Sequence, residues 1–396
     1  MKIVTPPHIA YTQQFTSKIN CNLSNSCAQS RTVEELLALP NAEQKWTDFL
    51  QRPLSYTSVK GDGQLRSQIA EFAQHQNQLS TQSTSLNADN VITFAGAQEA
   101  LRAIYQAVLE PNDEVIVFTP NYPSLTAMVG EFGAKLVPIA LRQEDGWRLD
   151  IERLAEKVSE KTKLIVVNVP HNPTGAILST RERQQVLEIA KSADCYLLAD
   201  DVSQPISFSV TDTDSHDSFY GDGSLAHDYL NYDVEYDKTV SVGVMSKAFG
   251  LGGVRLGWVV SRHRELLDAL LAIKAGASIC TSATDECFAQ IAFDNTDNII
   301  INNRKLVESN VLQAKQIIES STVLDWHQPR AGLLALVSVN TDVPIEEWAP
   351  DFTNKTGVLI LPAFLFGLEG NYFRLGLGQS DMREGLLQLV EYVQAL

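Results

Sequence analysis

The sequence predicts an α/β protein, with a large domain on a mostly parallel central sheet and a smaller α+β domain attached to it. Three observations predict it. Between about residues 60 and 260, short apolar runs alternate with helical patterns. Those runs are continuous and lack a polar face, as strands covered by helices on both sides require. Beyond about residue 265 the order changes to long helical patterns, then strands, then a terminal helix. A chain of 396 residues is also longer than one simple hydrophobic core usually serves.

In chain order, 65–74 reads as an amphipathic helix and 91–94 as the first strand. A helix over 97–109 precedes the run EVIVF at 114–118, and a helix over 124–132 precedes a strand over 135–139. Residues 154–157 fall in a helix ahead of LIVVNV at 164–169, and a helix over 181–193 leads into a strand over 195–199. Two more apolar runs follow, 240–244 and 257–260. In the second part, 265–274 and 303–319 are helical, 332–339, 357–361 and 372–377 are strands, and 381–395 is the last helix. The large domain is placed at 45–285, and the small one at 286–396 together with 1–44. The stretch 207–238, rich in Asp, Ser, Tyr and Gly, breaks the alternation and reads as a long acidic surface loop.

Composition narrows the function. Hydrophobic residues at 44% and charged residues at 20% describe an ordinary soluble globular protein. A net charge of −17 lacks the Lys/Arg excess that nucleic acid or an anionic lipid surface would need. The five cysteines form no C-x-x-C pair, so neither a zinc site nor a disulfide framework is expected, and no metal is assigned. The N-terminus MKIVTPPHIAYTQQ has no apolar signal region, and no uncharged apolar run approaches the ~20 residues of a membrane span. A cytoplasmic location is the expectation.

The segment SVGVMSKAFGLGGVRLGWVV, residues 241–260, carries the densest chemistry. Lys247 stands between an apolar strand and a Gly-rich turn, and an amine with a depressed pKa forms imines with aldehydes. Arg255 and Ser246 nearby supply a guanidinium and a hydroxyl suited to phosphate. A surface lysine would look the same. His171–Gly175 reads H-N-P-T-G directly after a strand, at the strand end where open α/β sheets bind ligands, although a plain turn also fits. Asp200 ends the run Y-L-L-A-D-D-V, where it can balance a pyridinium nitrogen or cap a helix. AGAQEA, residues 95–100, is a Gly turn opening a helix, whose free N–H groups make an anion seat.

Together, in this order and spacing, these motifs resemble the fold-type I pyridoxal-phosphate enzymes, specifically the class I and II aminotransferase family. The likeness runs from about Tyr56 to Arg374 and implies an aspartate aminotransferase-like fold. It implies that Lys247 carries the Schiff base and shuttles the proton, that Asp200 pairs with the ring nitrogen, and that Asn172 bonds the ring's phenolic oxygen. Tyr122, in T-P-N-Y-P-S-L, matches the aromatic that stacks on the ring. Ala97 and Gln98 match the backbone donors to the phosphate, with Ser246 and Arg255 adding side chains. Arg374, in Y-F-R-L-G-L-G, matches the arginine that forks onto the substrate's α-carboxylate, with Asn172 beside it. Tyr56, in S-Y-T-S-V-K-G-D-G-Q-L-R, matches a tyrosine that reaches the neighbouring subunit's cofactor, which implies a homodimer with shared active sites.

Two positions depart from the pattern. Ser203 stands where the family has a tyrosine bonded to the phenolic oxygen, and Val244 stands where a Ser or Thr often holds phosphate. The expected reaction is transfer of an α-amino group from an amino acid to a 2-oxo acid. The alternative on the same scaffold is elimination or ring closure, as in capreomycidine-synthase-like cyclases acting on hydroxylated arginine. Fold does not choose between them. Asp212, Asp214, Asp217 and Asp222 in the acidic stretch suit a guanidinium, or are simply solvated. Residues 20–28 (NCNLSNSCA) are expected over the site, with no role assigned.

Overall fold

A computed structural model describes residues 5–15, 18–75, 86–206 and 236–396. The predicted acidic loop 207–238, with Asp212, Asp214, Asp217 and Asp222, therefore falls outside the described residues apart from 236–238.

The central sheet has seven strands, β1 (Val91–Phe94), β2 (Glu114–Thr119), β3 (Lys135–Ala140), β4 (Thr162–Asn168), β5 (Tyr196–Asp200), β6 (Thr239–Val244) and β7 (Gly257–Ser261). Their order across the sheet is β1-β7-β6-β5-β4-β2-β3. All pairings are parallel except those of β7, which runs antiparallel to both β1 and β6. Each strand lies where an apolar run predicted one. The interior strands β4 and β6 and the edge strand β1 are buried almost throughout, while the other edge strand, β3, is half-exposed. That edge position is what lets β3 carry Pro138.

The helices show why the runs pair as they do. In Ala97–Val108, the buried Ala100, Leu101, Ile104, Tyr105 and Val108 repeat every three or four residues and face the sheet. Buried Tyr105 donates its hydroxyl to the Leu125 carbonyl at 2.7 Å, so the apolar face closes without an orphaned polar atom.

A second, four-stranded antiparallel sheet is built from β8 (Leu324–Trp326), β9 (Leu334–Val339), β10 (Leu361–Pro362) and β11 (Tyr372–Gly376), in the order β10-β11-β9-β8. The run 357–361, expected as one strand, is two: Val358–Leu359 pairs in parallel with Cys21–Asn22, and β10 pairs with β11. The long helix Thr296–Ser320 starts before the predicted 303. Among the helices that the sequence reading left unassigned, two show why. Ala283–Asp294 buries Glu286, Cys287, Ala289, Gln290, Ile291, Ala292 and Phe293, too many sides for an amphipathic pattern. Ile345–Thr356 contains Pro350, which masks it.

Between these elements lies a buried polar chain. Lys274 donates to the Val59 carbonyl at 2.6 Å and to Thr93 Oγ1 at 3.4 Å, Thr93 meets Thr281 at 3.1 Å, and Thr281 donates to Glu286. Glu286 also accepts from the Asp62 N–H at 3.2 Å. The chain fixes the backbone of the segment that presents Tyr56.

Candidate active site

Six parallel strands end at one edge of the central sheet, and antiparallel β7 begins there. The loops leaving that edge carry Gly96 and Ala97 after β1, Tyr122 after β2, Asn172 after β4, Asp200 at the end of β5, and Ser246 and Lys247 after β6. Arg255 arrives just before β7, and Arg374 comes in on β11. The site residues predicted from sequence meet at this edge, with one exception. Tyr56 points to solvent at 83% exposure, and Leu54 beside it is 80% exposed.

The anion end is built by close backbone approach. Gly96 caps the helix Ala97–Val108 at φ +87° with no side-chain acceptor, so the first N–H groups of the helix are free. A side chain on Gly96 would collide with the Arg255 guanidinium. Arg255 donates to the Gly252 carbonyl at 3.2 Å, and a Cβ on Gly252 would lie 3.8 Å from that of Ser246. Gln98 turns its side chain to the rim, where it accepts the Tyr122 hydroxyl at 3.2 Å.

Deeper in, charges sit in low dielectric. Asp200 is buried and its Oδ1 has no partner. Burial, and then the neighbouring Asp201 carboxylate, push its pKa up to about 7. Its strand end is braced by Asn168, which donates to the Asp200 carbonyl at 3.0 Å and accepts the Asn172 N–H at 2.8 Å. Lys247 is half-buried, and loss of solvent around its amine holds the pKa below the ordinary lysine value. The Lys247 Nζ donates to Ser26 Oγ at 2.6 Å.

Arg374 is buried, donates to Asn172 Oδ1 at 3.3 Å and to the Ser24 carbonyl at 2.8 Å, and lies over the Phe366 ring at 4.8 Å. Its Nε is unpartnered, and burial lowers its pKa to about 10. Of the two departures, Val244 is buried in β6 and Ser203 is buried in the turn after β5, where its carbonyl accepts the Ile206 N–H at 3.1 Å.

Sequence reasoning assigned no role to three contributors. Ser24 and Ser26 come from the N-terminal strap, whose polar residues gave no spacing to read. His8 packs edge-on against Tyr122 at 5.4 Å and near Phe366 at 6.3 Å. Burial, and then Arg374 and Lys247, lower its pKa to about 4. Nothing in the sequence around His8 marks it.

The donor set has the chemistry of one elongated ligand. Free helix N–H groups with Arg255 and Ser246 suit a phosphate, the unpartnered Asp200 oxygen a cationic ring nitrogen, Lys247 an aldehyde, and Arg374 a carboxylate. Among the described residues, no group of three or more His, Cys, Asp or Glu is placed to hold a metal. Nor is any helix long and apolar enough to cross a membrane.

Comparison with known proteins points the same way. The family model for aminotransferase class I and II matches residues 28–389. Capreomycidine synthase of Streptomyces vinaceus is 29% identical over 310 residues, covering 76% of this chain and 74% of that protein. An arginine–pyruvate transaminase of Pseudomonas aeruginosa is 28% identical over 337 residues, 83% of this chain and 80% of that one. The crystal structure of a PLP-dependent aminotransferase from Streptococcus suis superposes with a TM-score of 0.85 at 26% identity, covering 100% and 99% of the two chains.

Two outcomes test this geometry. A Cβ at position 257 would stand 2.5 Å from Ala97 N and from the Gly96 carbonyl carbon, so Gly257→Ala must displace the anion seat. It should weaken pyridoxal phosphate binding by about tenfold or more, read by fluorescence titration of the cofactor-free protein. Gly276→Ala, with open space around its Cβ, should leave binding unchanged. Asp200 titrates near 7 in the fold against its ordinary 3.8, so the folded state binds more protons between those values. Stability of the cofactor-free protein should therefore fall as pH rises through that window, and Asp200→Asn should flatten the fall in urea titrations.

Proposed function

The chain belongs to the class I and II aminotransferase family, and we propose that it is a pyridoxal-phosphate-dependent aminotransferase moving the α-amino group of an amino acid to a 2-oxo acid. One observation carries the reading: a desolvated lysine amine stands at the carboxyl edge of a parallel sheet, within electrostatic reach of Asp200, Arg255 and Arg374.

Bound through its aldehyde, the cofactor would supply an electron sink for the bond broken at the substrate's Cα. The protein's part is to hold and to move protons. Free N–H groups at Ala97 and Gln98, with Ser246 and Arg255, would fix the phosphate. The Asp200 carboxylate would hold the proton on the ring nitrogen, an ion pair that also relieves its own burial. Asn172 would bond the phenolic oxygen, and Tyr122 would stack on the ring. Lys247 Nζ, whose pKa burial lowers, would take up and return the Cα proton. Arg374 would offer its planar fork to the α-carboxylate, and its unpartnered Nε fits that role.

Tyr56, exposed beside Leu54 and Leu50, would complete the site of a second copy in a homodimer. Free cysteines suit a reducing, cytoplasmic setting.

A second reading, elimination or ring closure, is favoured by Ser203, which leaves out the phenol bonded to the cofactor oxygen, and by the likeness to capreomycidine synthase. Product analysis separates the two, because amino transfer alone consumes a 2-oxo acid.

Lys247→Ala should abolish the visible band of the lysine-linked cofactor and all turnover, and full activity in that variant would sink the assignment. Arg374→Lys keeps the charge but loses the fork, and should raise KM for the amino acid about thirtyfold, a loss of about 2 kcal/mol, with cofactor absorption intact.

A further inference from the structure

We infer that Ser26 is a positioning residue for the amine of Lys247, delivered by the N-terminal strap, and that it sets the proton state in which that amine meets an aldehyde. The inference rests on Lys247 being the cofactor lysine, as proposed above.

Ser26 lies 221 residues from Lys247 in the chain, yet the two side chains meet at 2.6 Å. That separation is short for a nitrogen donor and has the length of a charge-assisted bond. Among the described residues, Ser26 is the hydrogen-bond partner of this amine. Charges around it act on the amine as well: Cys27 and Asp200 favour the ammonium form, and Arg374 and Arg255 oppose it.

The strap that brings Ser26 in is fixed at several points. The Ala28 N–H donates to the Lys247 carbonyl at 2.9 Å, the Gly376 N–H to the Leu23 carbonyl at 2.7 Å, and Gln379 Nε2 to the Cys27 carbonyl at 2.8 Å. Asn22 and Asn25 side chains accept the N–H groups of Ser24 and Cys27 at 3.1 Å, which locks the local turns. Side chains on Gly250, Gly376 or Gly378 would strike this strap, so those glycines allow the close approach.

Two residues before Ser26, Ser24 bridges the other half of the site. Its hydroxyl donates to the Arg374 carbonyl at 2.5 Å and accepts the Leu361 N–H at 2.8 Å, while its carbonyl takes the Arg374 guanidinium. One short strap thus places the lysine and the carboxylate-binding arginine relative to each other. Ser26 thus brings a hydroxyl to the lysine from outside the large sheet.

The chemical consequence concerns one proton. Condensation of the Lys247 amine with an aldehyde forms a C=N bond and releases the carbonyl oxygen as water, and it requires the neutral amine. Ser26 Oγ accepts a hydrogen from the ammonium form, which stabilises that form more than the neutral one. Without the hydroxyl, the ammonium loses its acceptor and the neutral amine appears at lower pH.

The test follows capture of pyridoxal phosphate by the cofactor-free protein across pH, by absorbance. Borohydride then reduces the linkage, and mass spectrometry locates it. Ser26→Ala should move the pH midpoint of capture down by about one unit. Ser26→Thr should restore it, and Ser26→Cys, a poor acceptor of similar size, should follow Ser26→Ala. In the loaded enzyme kcat should fall several-fold with KM held, since Arg374 is untouched. An unchanged midpoint in both Ser26→Ala and Ser26→Cys would overturn the inference. Wild-type protein that captures no cofactor on Lys247 would instead overturn the functional reading on which it stands.

Discussion

The reversal of β7 is the constraint on which the rest of the site depends. Six strands run in one direction and deliver their loops to one edge. A seventh parallel strand would have sent the loop before it to the far side. Because β7 runs antiparallel between β1 and β6, Arg255 enters at the same edge as Lys247 and the helix start at Ala97. The registry is tight enough that Gly257 lies directly against the Gly96–Ala97 turn, with no room for a methyl group. Backbone contact, rather than side-chain packing, therefore sets how closely β7 approaches the helix start at Ala97.

Around that frame the structure keeps charges under-satisfied. Asp200 has an oxygen without a partner and a pKa raised to about 7, while Arg374 has a free Nε and a pKa lowered to about 10. Each is an unfavourable burial in the isolated chain. A cationic ring nitrogen and a carboxylate would relieve both, so part of the ligand's binding is complementarity to charges that folding has already desolvated. By contrast Lys274, also buried, has its hydrogen bonds made, through Val59 and Thr93. Lys247 instead has one hydrogen bond, to Ser26, and is only half-buried, so burial alone does not tell the two lysines apart.

The N-terminal strap joins the two sheets. Cys21–Asn22 extends the strand Val358–Leu359, and the residues that follow cross beneath Arg374 to reach Lys247. The small sheet contributes Arg374, the large sheet contributes Lys247, and the strap bonds to both. Any shift of one sheet against the other is therefore felt at the pair of groups that would hold the two ends of an amino acid. Ser26 and Ser24 make the strap part of the chemistry as well as of the packing.

Much of this was legible in the sequence. The apolar runs located all seven strands of the large sheet, since doubly covered strands have no polar face to confuse the pattern. The order of Gly96, Tyr122, Asn172, Asp200, Lys247, Arg255 and Arg374 carried the family likeness, because each side chain or turn serves a chemical need that few residue types meet. Periodicity did not give the helix Ala283–Asp294, which is buried on too many sides, or the break at Ile360 that divides one predicted strand between two sheets. The sequence also could not say which way β7 runs, that Ser26 would meet Lys247, or that His8 would pack on Tyr122. Those contacts join residues tens to hundreds of positions apart, and local pattern carries no information about such distances. Residue type and spacing determined which chemistry the chain holds, and the closure of the two sheets and the strap decided which groups touch.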